Sequence, residues 1–191
     1  MSMNAQVYHK VSTDALTSIF KEGLQHGSKG EHSHEDHAEK TNAYLDERMP
    51  VEFKDTGLSR RDNLYCYLLL DGHVSDVETG AAVPTDTWRP EEGKAVLRLD
   101  IDPTAAYVGD LDVYDGLAEA IEAGRPEAEL EAQAHWYWQT VLRLDKILKY
   151  YELADRGLQV MPGALPGLPR LLGRVEVLLT RSVPPECIQR V

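Results

Sequence analysis

The sequence predicts a single α+β domain spanning residues 1–191. Three observations lead there. Strand-like patterns gather near the two ends of the chain, and helical patterns occupy the stretch between them, which disfavours a regular β-α-β alternation. The two common nucleotide-fold signatures, G-x-G-x-x-G and the Walker A motif, are missing. A chain of 191 residues is long enough to bury a core without help from metals or disulfides.

Residues 6–11 alternate as a short strand. Ser12 or Thr13 then offers an N-cap, and Asp14 lies in the first turn of a helix carrying Ala15, Leu16, Ile19 and Phe20, with Gly23 at its C′ position. Residues 25–36 are polar and rich in Gly and His, and predict a surface loop. A second helix is expected over 37–48, stopped by Pro50. Residues 63–70 predict a buried strand, 71–93 a long loop and 94–101 a cleanly alternating strand, followed by a short one at 106–108. Residues 114–123 predict a short helix, broken at Gly124 and Pro126. One long helix is then expected over 126–154, with Leu130, Ala134, Trp138, Val141, Leu142, Leu144, Ile147 and Leu148 turned inward. Residues 157–173, rich in Gly and Pro, predict a loop, 174–180 a strand and 184–191 a turn into a last extended segment.

Composition narrows the classes of function. No apolar run approaches the roughly 20 residues that span a bilayer, and the first residues lack the basic flank and apolar stretch of a signal peptide, so no membrane role is expected. Cys66 and Cys187, each beside apolar residues, read as reduced thiols, and the expected location is the cytoplasm. A net charge of −12 argues against general affinity for nucleic acid, which only a local basic patch would override. Arg170, Arg174, Arg181 and Arg190 read as strand-flanking charges.

Three short motifs carry the chemistry. Tyr8-His9-Lys10-Val11 opens the chain, with Ile19-Phe20-Lys21-Glu22-Gly23-Leu24 closing the first helix. Asn63-Leu64-Tyr65-Cys66-Tyr67 opens the buried strand, and Arg174-Val175-Glu176-Val177-Leu178-Leu179 precedes Val183-Pro184 and Ile188 at the end. In this order the motifs resemble the His-Tyr-Glu branch of the ADP-ribosyltransferases, over about 50 residues. The resemblance implies a split, mainly antiparallel sheet with flanking helices, and NAD as the substrate. It also implies that His9 bonds the ribose next to nicotinamide, that Tyr65 stacks on the nicotinamide ring, with Tyr67 as its rival, and that Glu176 contacts the ribose 2′-hydroxyl. The reading requires His9, one tyrosine and Glu176 to converge on one cleft. Lys10 counts among the cofactor-binding residues, as do Arg60 and Arg61, since a guanidinium matches pyrophosphate bidentately. The alternative for the two arginines is an exposed loop paired with Asp62 or Asp55.

The chemistry is independent of the resemblance. Cleaving the glycosidic bond to nicotinamide builds oxocarbenium character on the ribose, and a nearby carboxylate stabilises it. An aromatic face holds the flat leaving group and excludes water. Strand alternation alone would instead place Glu176 on a solvated face. Arg174 stands where arginine-modifying relatives carry a second glutamate, which puts a guanidinium acceptor in doubt and leaves a protein, nucleic acid or small molecule open. His32, His34 and His37 have ligand chemistry for Zn²⁺ or Ni²⁺, yet they stand in a loop without a rigid support, and no native metal is expected. Asp110, Asp112 and Asp115 lack the remaining positions of a calcium loop. His135-Trp136-Tyr137-Trp138 point around the helix, so at least one must reach a surface. Two rival readings stand beside the enzyme. One is a non-catalytic binding module using the aromatic helix or the His-rich loop. The other is an RNA 2′-phosphotransferase relative, which the −12 charge disfavours.

Overall fold

The computed structural model describes residues 5–26, 36–70, 73–75, 82–155 and 174–191. Among the described residues, nine strands form one sheet: β1 (Ala5–Ser12), β2 (Leu64–Leu70), β3 (His73–Ser75), β4 (Ala82–Pro84), β5 (Lys94–Ile101), β6 (Ala106–Asp110), β7 (Leu142–Arg143), β8 (Val175–Leu179) and β9 (Ile188–Arg190). The described helices are α1 (Leu16–Glu22), α2 (Asp36–Glu47), α3 (Val51–Lys54), α4 (Leu111–Glu122), α5 (Glu127–Thr140) and α6 (Leu144–Asp155). The main path runs β7-β6-β8-β2-β1-β5-β9, and every described pairing is antiparallel. The α+β class therefore stands.

Both faces of this sheet are covered. Odd-numbered Val7 and Val11 of β1, even-numbered Leu64, Cys66 and Leu68 of β2, and odd-numbered Val175, Val177 and Leu179 of β8 form one core, with Ile19 of α1 and Leu144 and Ile147 of α6. The alternate residues face the other way. There Tyr65, Tyr107 and Leu178 meet Leu45 of α2, Tyr114 and Leu117 of α4, and Leu130, Ala134, Tyr137 and Trp138 of α5. Tyr8, Tyr67, Val74, Trp88 and Val96 extend that second face under the β3–β4 hairpin. A strand buried on both faces loses its apolar–polar alternation, and all five residues of β8 are buried.

The central junction is narrow. β1 and β2 pair only at Val7↔Leu68 and Tyr8↔Tyr67, whereas the start of β2 pairs with β8 over Leu64, Tyr65 and Cys66. β2 thus leaves β1 as it joins β8.

The structure revises two expectations. The long helix over 126–154 is two helices. Thr140 turns its hydroxyl back onto the Tyr137 carbonyl at 2.7 Å, a local bond that competes with helix continuation. Val141 is then extended, and Leu142 and Arg143 pair with Val108 and Tyr107 of β6, so an available sheet edge outbids one more helical turn. The predicted loop at 71–93 contains the β3–β4 hairpin, which pairs with the end of β2. The loop predicted at 157–173 lies outside the described residues.

Gly23 shows how α1 is tied to the end of the chain. It has φ +81°, and a Cβ there would stand 2.4 Å from the Val183 carbonyl oxygen, which itself accepts the Leu24 N–H at 2.9 Å. Gly93 has a similar φ, +78°, with nothing within 4 Å of the built Cβ. Gly93→Ala should therefore cost only the backbone strain, about 1–2 kcal/mol. Gly23→Ala should cost at least about 1 kcal/mol more, because a backbone contact must also open. Urea unfolding of the two variants checks this; equal losses would refute it.

Candidate functional site around Glu176

Glu176 sits in the middle of β8 between Val175 and Val177, which point into the first core. Alternation sends its carboxyl to the opposite face, yet that face is not solvated: Glu176 is 4% exposed. Each neighbour comes from a different element. Gly109 of β6 lies directly across the ladder. Tyr137 arrives from α5, Tyr114 from α4, Tyr65 from β2 and Arg60 from the segment between α3 and β2. Arg60, itself 2% exposed, forms an ion pair through Nη1 with Glu176 Oε1. The same Nη1 donates to the Tyr137 hydroxyl at 2.8 Å, and that hydroxyl donates to Glu176 Oε1 at 3.2 Å. The guanidinium carbon lies 4.3, 4.9 and 5.3 Å from the ring centroids of Tyr114, Tyr65 and Tyr137. Rings at such distances attract a desolvated cation.

The segment carrying Arg60 is pinned from α2. Asp46 accepts from the backbone N–H of Arg60 at 2.6 Å, from that of Arg61 at 3.2 Å and from the Ser59 hydroxyl at 2.9 Å. Asn42 accepts from Arg60 Nε at 3.2 Å. The Tyr65 hydroxyl donates to the Arg60 carbonyl, and Asn63 accepts the Ser59 N–H at 2.8 Å. Burial works against the charge on Arg60, but the Glu176 carboxylate and the surrounding tyrosines hold its pKa well above the ordinary guanidinium value. Burial likewise raises the Glu176 carboxyl above the usual carboxylate range, while Arg60 and the Tyr137 bond oppose the rise. The Tyr65 and Tyr137 hydroxyls are pushed up chiefly by burial, so both remain protonated donors.

The convergence expected of His9 and Glu176 does not occur. His9 belongs to the odd-numbered face of β1, with Val7 and Val11, and Glu176 to the other face of the sheet. Once β1 and β2 part, the ring of His9 reaches across, and its Nδ1 lies 2.7 Å from the Tyr65 carbonyl oxygen. A carbonyl only accepts, so Nδ1 carries the proton. Cys66 Sγ lies 3.9 Å from the same nitrogen. Sequence spacing assigns His9 to a strand but cannot say which of two buried faces it takes.

The remaining candidates divide. Tyr65 joins Glu176 and Arg60, whereas Tyr67 lies farther along the same face, its ring centroid 5.0 Å from that of Trp88. Lys10 Nζ stands 5.3 Å from both of those rings and 2.6 Å from Glu91. Arg60 is not an exposed loop charge paired with Asp62 or Asp55; Arg61 is exposed. Arg174 pairs with Asp112 and, at 2.6 Å, with Asp115, and Asp110 caps α4, so the acidic turn is internally satisfied. His32 and His34 lie outside the described residues, as does the side chain of His37; among the described residues no group of three potential ligands could hold a metal ion. Cys66 is a buried free thiol and Cys187 a partly buried one. Among the described residues no helix is long and apolar enough to cross a membrane. No family model, curated protein or solved structure matches the chain.

Sequence reasoning missed Tyr137, Tyr114, Asn42 and Asp46. A signal existed for Tyr137, which continues the inward row Leu130–Ala134 at helical spacing and is fully buried beside Trp138, leaving Trp136 exposed.

Removing one member of a buried ion pair leaves an uncompensated charge, at about 3–5 kcal/mol, whereas replacing both by apolar groups of similar size is often neutral. Glu176→Leu should therefore destabilise strongly, and the double variant Arg60→Met/Glu176→Leu should recover most of the loss. Urea unfolding measures both; equal stability of the single and double variants would refute the coupling.

Proposed function

We propose that this chain consumes NAD, passing ADP-ribose to an acceptor or to water, with Glu176 as the carboxylate that stabilises the ribose while nicotinamide leaves. The observation that carries the reading is a lone carboxylate, set in an otherwise apolar strand, whose partner Arg60 also lies against the Tyr65 ring. The resemblance of the two chain ends and of the central strand to ADP-ribosyltransferases supports it. A carboxylate in a water-poor site acts strongly on developing positive charge, because little solvent competes. Tyr65 supplies the aromatic surface for nicotinamide. Arg60 supplies a fork of donors for pyrophosphate. Farther along the face, Lys10, Tyr67 and Trp88 offer a cation and aromatic rings to the rest of the dinucleotide.

The three-residue site that the motifs imply fails, because His9 and Glu176 lie on opposite faces of the sheet. The proposed chemistry stands on Glu176 and Tyr65 without His9. His9 takes a different part from the one its motif implies. It acts from behind the sheet, holding the carbonyl of Tyr65 where the ladder to β1 has ended. Glu176 is nearly covered, so NAD reaches it only when part of the cover gives way. The acceptor is a protein, a nucleic acid or a small molecule. Arg174, already paired with Asp112 and Asp115, supplies no second carboxylate for a guanidinium. The net charge of −12 disfavours an RNA 2′-phosphotransferase.

The cover over Glu176 favours a second reading, a non-catalytic binding module of the same fold. Trp138 is buried in the core, so on α5 that module would present Trp136.

Nicotinamide release from NAD separates the two. Wild-type protein is expected to release it, and Glu176→Gln to lose roughly 100-fold or more in rate, assayed below the melting temperature of each protein. His9→Ala should lose far less, since its ring faces away from the reacting sugar. No release from the wild type, with no rise in its melting temperature on adding NAD, would leave the binding module.

A further inference from the structure

Glu176 presents its two carboxyl oxygens unequally. Oε1 takes both the ion pair from Arg60 and the hydrogen bond from Tyr137. Among the described residues, Oε2 accepts no bond. The carboxyl is thus gripped at one oxygen and unengaged at the other. The grip needs space that one position provides: a Cβ on Gly109 would stand 2.8 Å from the Tyr137 hydroxyl and 3.3 Å from Glu176 Oε1. Gly109 is directly opposite Glu176 in the ladder between β6 and β8. Any larger residue there would push apart the two atoms that now meet.

We propose that Tyr137 is the positioning residue of Glu176, holding Oε1 in the space left by Gly109 so that Oε2 is the oxygen turned to the ribose. This rests on the reading of the chain as an NAD-consuming enzyme. Tyr137 touches neither substrate nor reacting atoms and acts through the carboxyl. Its hydroxyl is suited to the task because it both accepts from Arg60 and donates to Oε1, which fixes the direction of its proton. If Arg60 turns to the pyrophosphate, Tyr137 remains as the group that keeps Glu176 from rotating. Misplacing a reacting group by about an ångström can cost roughly 100-fold in rate.

The test compares Tyr137→Phe, Gly109→Ala and the double variant with the wild type. Steady-state nicotinamide release from NAD is read together with titration of ¹³C-labelled Glu176 carboxyl by NMR. Tyr137→Phe should lower kcat by roughly 10- to 100-fold with KM for NAD little changed. The lost hydrogen bond favoured the ionised carboxyl, so its titration, and with it the acid limb of the rate profile, should move to higher pH. Gly109→Ala should lose a comparable factor. Phenylalanine at position 137 removes the oxygen that the new methyl would strike, so adding Gly109→Ala to Tyr137→Phe should cost less than Gly109→Ala does alone. An unchanged titration and unchanged kcat in a folded Tyr137→Phe protein would overturn the proposal, as would strictly additive losses. If Tyr137→Phe fails to fold, Gly109→Ala decides by the same two readouts. A wild type that releases no nicotinamide would end the catalytic part of the proposal together with the reading beneath it; a shifted carboxyl titration in Tyr137→Phe would then show the grip as structural alone.

Discussion

The ion pair between Arg60 and Glu176 is the constraint around which one whole face of the sheet is arranged. Two charges taken from water need near-complete compensation, or their desolvation exceeds their attraction. That requirement explains why so many elements meet there. β6 opposes the carboxyl with a glycine, α5 sends in a hydroxyl, α4 and β2 contribute aromatic faces, and α2 pins the backbone that carries the guanidinium. Asp46 acts at one remove, since its carboxylate collects two backbone N–H groups and the Ser59 hydroxyl, and so decides where Arg60 begins.

The same constraint shapes the layering. An open antiparallel sheet can leave one face to water, but a face carrying a buried charge pair must be roofed. Here α2, α4 and α5 form that roof, while α1 and α6 cover the other side. The break at Val141 follows from these two duties. α5 must stay on the Glu176 face to deliver Tyr137, whereas Leu144 and Ile147 of α6 pack into the opposite core. The chain therefore passes around the sheet edge, and β7 pairs with β6 as it does so.

Sequence periodicity carries the local structure well and the layering poorly. β1, β2, β5 and α2 fall within a residue or two of where apolar spacing and punctuation put them, and Gly23 adopts the positive φ expected of a helix-ending glycine. The break in the long helix was hidden because residues 126–154 are nearly all good helix formers, and only a tertiary partner, the free edge of β6, favours extension at Leu142 and Arg143. The site was half legible for a related reason. The sequence points to Tyr65, Arg60 and Glu176 one by one, and the fold brings them together around the guanidinium. The motif puts His9 in the same cleft, but β1 is covered on both sides, so its alternation gives relative facing within the strand and nothing about which face meets which. Tyr137 is obscured by standing between two tryptophans, where four residues pointing around the helix do not say which of them is turned inward.

What a buried charge pair contributes bears on why it is there. Apolar residues of matching volume would fill the space between β8 and α5 about as well, and often better, because they avoid the desolvation cost. Stability alone therefore gives little reason for Glu176 to interrupt Val175 and Val177 in a strand otherwise made for packing. The geometry of the carboxyl is also not that of a group wholly consumed by structure. A glutamate serving only as counter-ion to Arg60 gains most from a bidentate pairing that uses both oxygens. Here one oxygen carries both bonds and the other carries none among the described residues. That asymmetry leaves one acceptor unengaged by the described residues, which is the arrangement a carboxylate needs if it is to meet a substrate.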